Sequence, residues 1–360
     1  MYRVLFILPS FAGGGAERVL IGLANGMDRR RFQPTLIVLE NHGPLAAELS
    51  DNISVISLDR RRLRQALSEL RRIVLELEPA VVVSTMGYLN LGTIWSVGRY
   101  RSRFGLVVRE ANDPDVTIEA LPFAALGRWL YRRYYRRASC IVAPSKAIGE
   151  RLVSLVPSAK DKVQLLHNPV DESRIRNAAE SPIRQSGSGK RFVAAGRLSY
   201  QKGFDRLLDW FSGLPGDFHL SILGEGPEGL NLEGKIEALN LDGKVVLTGF
   251  VANPWAYYAG ADAFLLPSRW EGMPNAALEA LACGTPVIAM SEAGAVQEIA
   301  EEAPVNSIRI ANSDDEFINE IRNAVARDTE VLNASLLPNS FLPESVGQDF
   351  EKLIETAMVD

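Results

Sequence analysis

Short, continuously apolar runs separated by longer amphipathic stretches recur along the whole chain, and this alternation restricts the fold more than any other feature. In the first half the runs are Arg3–Leu8, Gln33–Leu39, Ile53–Ser57, Ala80–Ser84, Leu106–Arg109 and Cys140–Ala143. Runs of this kind, apolar throughout rather than alternating, are what parallel strands show when both faces are covered. Between them Ala16–Met27, Leu63–Leu77 and Phe123–Arg137 carry apolar residues at helical spacing. Strand and helix in strict alternation give a doubly wound α/β domain.

The pattern stops near residue 168 and then restarts. Asn168-Pro169-Val170-Asp171 has turn chemistry, and the stretch 181–190 is polar and flexible in composition. Beyond it, Arg191–Ala195, His219–Leu223, Lys244–Thr248, Ala263–Leu266 and Pro286–Met290 read as strands. Phe204–Phe211, Gly229–Leu239, Pro254–Ala259, Asn275–Cys283 and Glu316–Ala326 read as the intervening helices. The expectation is two Rossmann-like α/β domains, 1–170 and 171–343, followed by a last helix at Glu344–Ala357 with no strand after it. A length of 360 residues suits two such domains, each able to bury a core without disulfide or metal staples. Cys140 and Cys283 both sit in apolar sequence and read as buried thiols rather than as a disulfide. The apolar run from Val4 to Ala12 is broken at Pro9 and is too short to span a bilayer, so a cytoplasmic protein is expected.

The net charge of −5 conceals a split. Lys plus Arg minus Asp plus Glu is 24 − 15 = +9 over residues 1–170 and 15 − 29 = −14 over the remainder. A basic half of this size calls for an anionic neighbour, and no nucleic-acid recognition module accompanies it. The positive charge gathers at Arg60–Arg64 and Arg71–Arg72, and again between Arg128 and Arg137, where Trp129, Tyr131, Tyr134 and Tyr135 interleave with it. Arg61, Arg64, Arg71, Arg128, Arg132 and Arg136 are therefore candidates for an acceptor or anionic-membrane face. The plainer alternative, surface helices packing their apolar sides on a sheet, is compatible with it.

Several motifs carry possible chemistry. Gly13-Gly14-Gly15 follows the first strand and opens a helix, where glycines admit a ligand to the backbone and a helix N-terminus favours a phosphate. A tight turn alone needs fewer glycines. Gly196-Arg197 to Lys202-Gly203 ends the first strand of the second half, placing two cations where they can clamp a diphosphate, or else simply meet solvent. The run Pro267 to Val287 puts Glu271 in a Gly272-Met273-Pro274 loop ahead of a helix start at Asn275, with Glu279 one turn further on among Ala276, Ala277, Leu278, Ala280 and Leu281. Asn275 and Glu279 share a helix face. Carboxylates beside an anion-binding helix start are costly unless each meets a hydroxyl or a cation. Two further patterns read as structural. Gly224, Gly226 and Gly229 match a dinucleotide fingerprint, but Pro227 and the weak periodicity after it make a loop the better reading. Asp113-Pro114-Asp115 resembles a metal-binding pair but is also a plain turn, and no further ligand cluster supports a metal.

Taken together, these residues resemble the retaining glycosyltransferases of family 4, which have the GT-B fold of two Rossmann-like domains facing across a cleft. The resemblance rests on Gly14, Gly15 and Glu17, on the Gly196–Gly203 segment, on Glu271 and Glu279 with the trailing Gly284-Thr285-Pro286-Val287, and on Asn168–Asp171 and Ala261–Ser268. It implies a nucleotide-sugar donor, a UDP-hexose or UDP-N-acetylhexosamine, held mainly by the second domain, and a glycan or lipid-linked acceptor held by the first. It implies that Glu279 binds the ribose, that Glu271 holds the donor sugar, and that Arg197 and Lys202 neutralise the diphosphate. Amides at Gly14, Gly15, Gly196, Gly272 and Met273, with Pro274 and Asn275, would complete the donor site without a metal or other cofactor. The final helix would cross back onto the first domain, and the enzyme would work peripherally on the cytosolic face of a membrane. One departure stands out. Many relatives carry a His after the strand equivalent to Leu106–Arg109, whereas here the loop reads Glu110-Ala111-Asn112, so Glu110 or Asn112 takes its place. Two other readings share the sequence features: a UDP-N-acetylglucosamine 2-epimerase, and an inactive sugar-nucleotide-binding subunit.

Overall fold

A computed structural model of the chain describes residues 1–12, 14–119, 121, 123–184, 189–327 and 331–359. Gly13 and residues 185–188 of the polar stretch 181–190 therefore lie outside the described residues. The chain divides into two units, Met1–Pro169 with Ser340–Asp360, and Val170–Asn339.

The first unit is built on a wholly parallel seven-stranded sheet: β1 (Tyr2–Leu8), β2 (Phe32–Val38), β3 (Ser54–Ser57), β4 (Val81–Thr85), β5 (Gly105–Arg109), β6 (Cys140–Ala143) and β7 (Val163–Leu165). Its order is β3-β2-β1-β4-β5-β6-β7, so the chain reverses its direction of travel across the sheet between β1 and β4, the switch point at which open α/β sheets bind ligands. Pro34 sits inside β2, opposite Val4 of β1. It is tolerated because β3 begins only opposite Thr35, so no ladder on that side needs its missing N–H. Helix Pro343–Ala357 belongs to this unit. It buries Val346, Phe350, Ile354 and Ala357 in the core that holds Val4, Phe6, Leu20 and Leu23. Phe350 packs on Phe6 with ring centroids 6.0 Å apart, and Glu351 accepts from the backbone N–H of Asp28 at 2.6 Å.

The second unit repeats the plan with β8 (Lys190–Ala195), β9 (Phe218–Leu223), β10 (Val245–Gly249), β11 (Ala263–Leu266), β12 (Val287–Met290) and β13 (Ile308–Ala311). The order is β10-β9-β8-β11-β12-β13, which puts its switch point between β8 and β11. Cys140 and Cys283 are buried free thiols in separate units, and burial pushes both up to about 12.

Several elements depart from the sequence reading. Helix Gly87–Val97 is buried on most sides and carries Asn90, Thr93 and Ser96 inward, so it has no apolar stripe to detect. Helix Lys146–Leu155 did carry a signal, since the Ser145 side chain caps it by accepting from the Ile148 N–H. The edge strands β7 and β13 are three and four residues long and only partly buried, too short and too wet for a periodicity. The predicted helix over Phe123–Arg137 is an α-helix at Ala124–Tyr134 that tightens into a 3-10 turn at Tyr135–Arg137.

Candidate functional site

In the second unit the loops after β8 and β11 meet at the switch point. The Lys202 ammonium lies 2.5 Å from Glu271 Oε1, and the Ser268 hydroxyl donates to the same oxygen at 2.8 Å. The Glu271 side chain is only 7% exposed and that of Lys202 20%, so the pair is largely withdrawn from solvent. Gly203 makes this approach possible: its φ is +68°, and a Cβ there would lie 2.0 Å from the Pro267 carbonyl oxygen. Arg197 stands exposed on the same loop, with no carboxylate within 4 Å among the described residues. Gly272, Met273 and Pro274 are buried where helix Asn275–Ala282 begins. One turn along, Glu279 Oε2 accepts from the Trp255 indole N–H at 3.0 Å. The helix is buried, as its alanines and leucines foretold. A site with one free guanidinium, one paired ammonium and two anchored carboxylates can hold a diphosphate beside a polyhydroxylated group.

The sequence missed the residues that join these two loops. Arg206 donates to the carbonyls of Pro267 and Ser268 at 2.8 and 2.9 Å. Arg269 makes a two-pronged pair with Asp205 at 2.8 and 2.7 Å and stacks over Tyr200, its guanidinium carbon 3.8 Å from the ring centroid. Gln201 donates to the Trp270 carbonyl at 3.0 Å. A single sequence marks none of these as cross-links, because their partners lie more than 60 positions away.

In the first unit, the loop after β1 places Gly14 against Glu17. A Cβ at Gly14 would lie 2.0 Å from Glu17 Oε2, so the glycine leaves room for the carboxylate to fold back over the loop, and a larger residue would displace that side chain. Glu17 is 7% exposed, burial raises its pKa, and Oε2 has no hydrogen-bond partner among the described residues. Across the switch point, Met86 holds a φ of +66° at the end of β4, strain of about 1–3 kcal/mol that the surrounding packing must impose. Glu110, at the end of β5, turns inward and is 1% exposed. Tyr135 donates a short hydrogen bond to it and Asn90 a second at 3.3 Å, while Asn90 also accepts from Ser84 and donates to the Arg109 carbonyl. Its carboxyl therefore faces a buried polar network and not solvent.

Comparison with known proteins follows this geometry. A family model described as "Glycosyltransferase Family 4" matches residues 13–174, and one described as "Glycosyl transferases group 1" matches residues 177–334. The chain is a GT-B glycosyltransferase. Among its relatives, the N-acetylgalactosamine-N,N'-diacetylbacillosaminyl-diphospho-undecaprenol 4-alpha-N-acetylgalactosaminyltransferase of Campylobacter jejuni is 27% identical over 309 residues, covering 83% of each chain. The lipopolysaccharide core biosynthesis glycosyltransferase LpsE of Rhizobium meliloti is 25% identical, covering 78% of this chain and 77% of its own. The crystal structure of Anabaena HepE in complex with UDP and glucose superposes with a TM-score of 0.76 over 99% of this chain at 19% identity.

In this glycosyltransferase the two patterns read as structural have structural partners. Cβ atoms at Gly224 and Gly226 would lie 2.1 and 2.3 Å from the carbonyl oxygens of Gly196 and Leu198, so these glycines let the loop after β9 pack on the loop that carries Arg197. Asp113 accepts from the Asp115 N–H at 2.9 Å and pairs with Arg151 at 2.5 Å, opening helix Pro114–Glu119. Among the described residues no group of three or more His, Cys, Asp or Glu side chains is placed to hold a metal. No helix among them is long and apolar enough to cross a membrane.

The arginines of the first unit are mostly at the surface. Arg61 and Arg64 are exposed, with Arg61 3.5 Å from Glu40, and Arg71 is half-buried on helix Leu63–Leu77. Arg128 pairs with Glu119 at 3.0 Å, whereas Arg132 and Arg136 donate to the carbonyls of Leu155 and Arg133.

Burial, partly offset by the Tyr135 and Asn90 hydrogen bonds, raises the Glu110 carboxyl from 4.5 to about 7. A raised carboxyl favours the folded chain most below its unfolded pKa, and that advantage is lost as pH climbs to the folded value. Glu110→Gln keeps the shape and cannot ionise. Between pH about 4.5 and about 7, wild-type stability relative to this variant is expected to fall by on the order of 3 kcal/mol, read from urea midpoints. A pH-independent difference would show that the carboxyl does not titrate in this window.

Proposed function

We propose that this glycosyltransferase moves a sugar from a UDP-sugar, a UDP-hexose or UDP-N-acetylhexosamine, to a glycan acceptor carried on a lipid or a surface polymer, with retention of configuration. The observation that carries the reading is the Lys202–Glu271 pair, held 2.5 Å apart by the loops after two adjacent strands at a sheet's switch point. In this reading Lys202 and Arg197 take up the charge that develops on the departing diphosphate, which makes a metal unnecessary. Glu271, held by Ser268, accepts from hydroxyls of the donor sugar, and Glu279, steadied by Trp255, accepts from the ribose. The first unit takes the acceptor. Support for a UDP donor comes from HepE, solved with UDP and glucose, and support for a lipid-diphosphate acceptor from the name of the Campylobacter enzyme. The basic surface of the first unit, Arg61, Arg64, Arg71, Arg128, Arg132 and Arg136, is the proposed side for an anionic membrane on the cytosolic face.

The test is a donor screen read as UDP release, with a polyprenyl-diphosphate-linked oligosaccharide as acceptor and the product anomer assigned by NMR. Acceptor-dependent release with the donor's α-configuration kept is the expected result, unchanged by EDTA. An epimerised sugar nucleotide formed without acceptor would overturn the reading, as would UDP-sugar binding without turnover.

A further inference from the structure

A second cationic feature lies in the first unit, at the opposite edge of the sheet from Gly14 and Glu110. Helix Gly87–Val97 starts at the carboxyl end of β4 and runs about 16 Å towards the amino end of β5. Helix Ala124–Tyr134 likewise ends just ahead of β6. Where the two helices finish, Gly98, Arg99, Arg101, Arg133, Arg136 and Arg137 line a cavity of about 400 Å³. Five of these six residues are arginines.

Among the described residues no carboxylate lies within 4 Å of any of the five guanidiniums, although other arginines of this unit, such as Arg103 and Arg128, are paired with glutamates. The groups are instead set against rings and against each other. Arg133 and Arg137 both lie over Tyr134, 5.7 and 5.2 Å from its centroid, and Arg99 lies over Tyr100. Lys162 adds a further cation behind the wall by donating to the carbonyls of Arg136 and Ala138. Burial and the charges of Arg133, Arg136 and Arg101 hold Arg137 below its ordinary value, the sign of mutual repulsion. Guanidiniums without carboxylate partners, gathered around a concave and partly exposed space, favour a multiply charged anion, and their fork geometry suits phosphoryl oxygens. A space of about 400 Å³ is ample for one phosphorylated group.

We infer that the Arg99–Arg101–Arg133–Arg136–Arg137 cavity is a binding site for a phosphomonoester or diphosphate group, separate from the donor site and at the far edge of the sheet. Two sources share this chemistry, the headgroup of an anionic lipid and a soluble phosphorylated compound. The inference stands whether or not the chain transfers sugar.

Titration calorimetry of the full chain with inorganic pyrophosphate, and sedimentation with phosphatidylcholine vesicles with or without phosphatidic acid, test it together. Arg99→Ala/Arg133→Ala removes two guanidiniums at the mouth and is expected to weaken the binding event at least about tenfold. Loss in the pyrophosphate arm identifies a soluble ligand, and loss only in the phosphatidic-acid arm identifies a lipid headgroup. A pyrophosphate event that survives the double variant belongs to another site such as Arg197 and Lys202, and survival of binding in both arms would overturn the inference. Should the variant misfold, phenylglyoxal labelling of the wild-type chain still decides, since Arg99, Arg101 and Arg133 are expected to be protected by pyrophosphate or by the phosphatidic-acid vesicles. Absence of protection by both, or of binding in both arms, would overturn the inference.

Discussion

Lys202→Ala is expected to lower sugar-transfer turnover by about 10²–10³-fold, the usual cost of removing one preorganised charge from a developing anion. The substitution also leaves the Glu271 side chain, 7% exposed, with Ser268 as its one hydrogen-bond donor among the described residues in place of an ion pair at 2.5 Å. An orphaned, largely buried carboxylate costs about 3–5 kcal/mol in stability, so a fall in activity alone would be ambiguous. The double variant Lys202→Ala/Glu271→Gln separates the two effects. Neutralising the orphan is expected to restore much of the urea stability without restoring turnover, because neither amide nor methyl can take up leaving-group charge. The donor is expected to bind more weakly to both variants by calorimetry. Recovery of UDP release in the double variant would show that the pair is structural and that the diphosphate is met elsewhere.

Phe350→Ala is expected to destabilise the first unit by about 3–5 kcal/mol, the range for emptying a fully buried aromatic site. Phe350 is 1% exposed and rests on Phe6, itself fully buried in the strand that starts the sheet. The residue lies 344 positions from Phe6, so the loss measures how firmly the chain's last helix is built into a unit that the N-terminal sequence otherwise forms. Phe250, 69% exposed, serves as the control, and its replacement by alanine should change stability by no more than about 0.5 kcal/mol. Hydrogen exchange locates the effect: protection in β1 and β5 should drop in Phe350→Ala, while β8 and β11 keep theirs. Equal small losses for the two variants would mean that the helix merely rests on the surface.

Much of this architecture was legible in the residues themselves. β6 and β11 and the helix Leu63–Leu77 have the bounds that their sequence predicts. Others, such as β1 and the helix Gly229–Ala238, differ from expectation by a single residue at an end. These elements are legible because apolar periodicity is a local property, set by neighbours within one or two turns. Helix Gly87–Val97 was illegible for the same reason reversed: with Asn90 buried in a polar network and Ser96 buried on the Leu67 carbonyl, the pattern that marks its inner side is absent. Glu271, Glu279, Arg197 and Lys202 stood out as unusual residue types beside glycines, but their separation in space did not.

The sequence by itself determined the alternation of strand and helix, the two α/β domains, the buried thiols and the residues that gather at the loops after β8 and β11. Only the tertiary structure decided that Lys202 closes on Glu271, that Arg206 and Arg269 bind the two loops together, that Glu110 turns into the core, and that five arginines from two helix ends converge on one cavity. The division has a physical cause. Helices and strands are selected by contacts close in the chain, whereas each of these sites depends on which strands lie side by side, and that order is settled only when the whole sheet buries both of its faces.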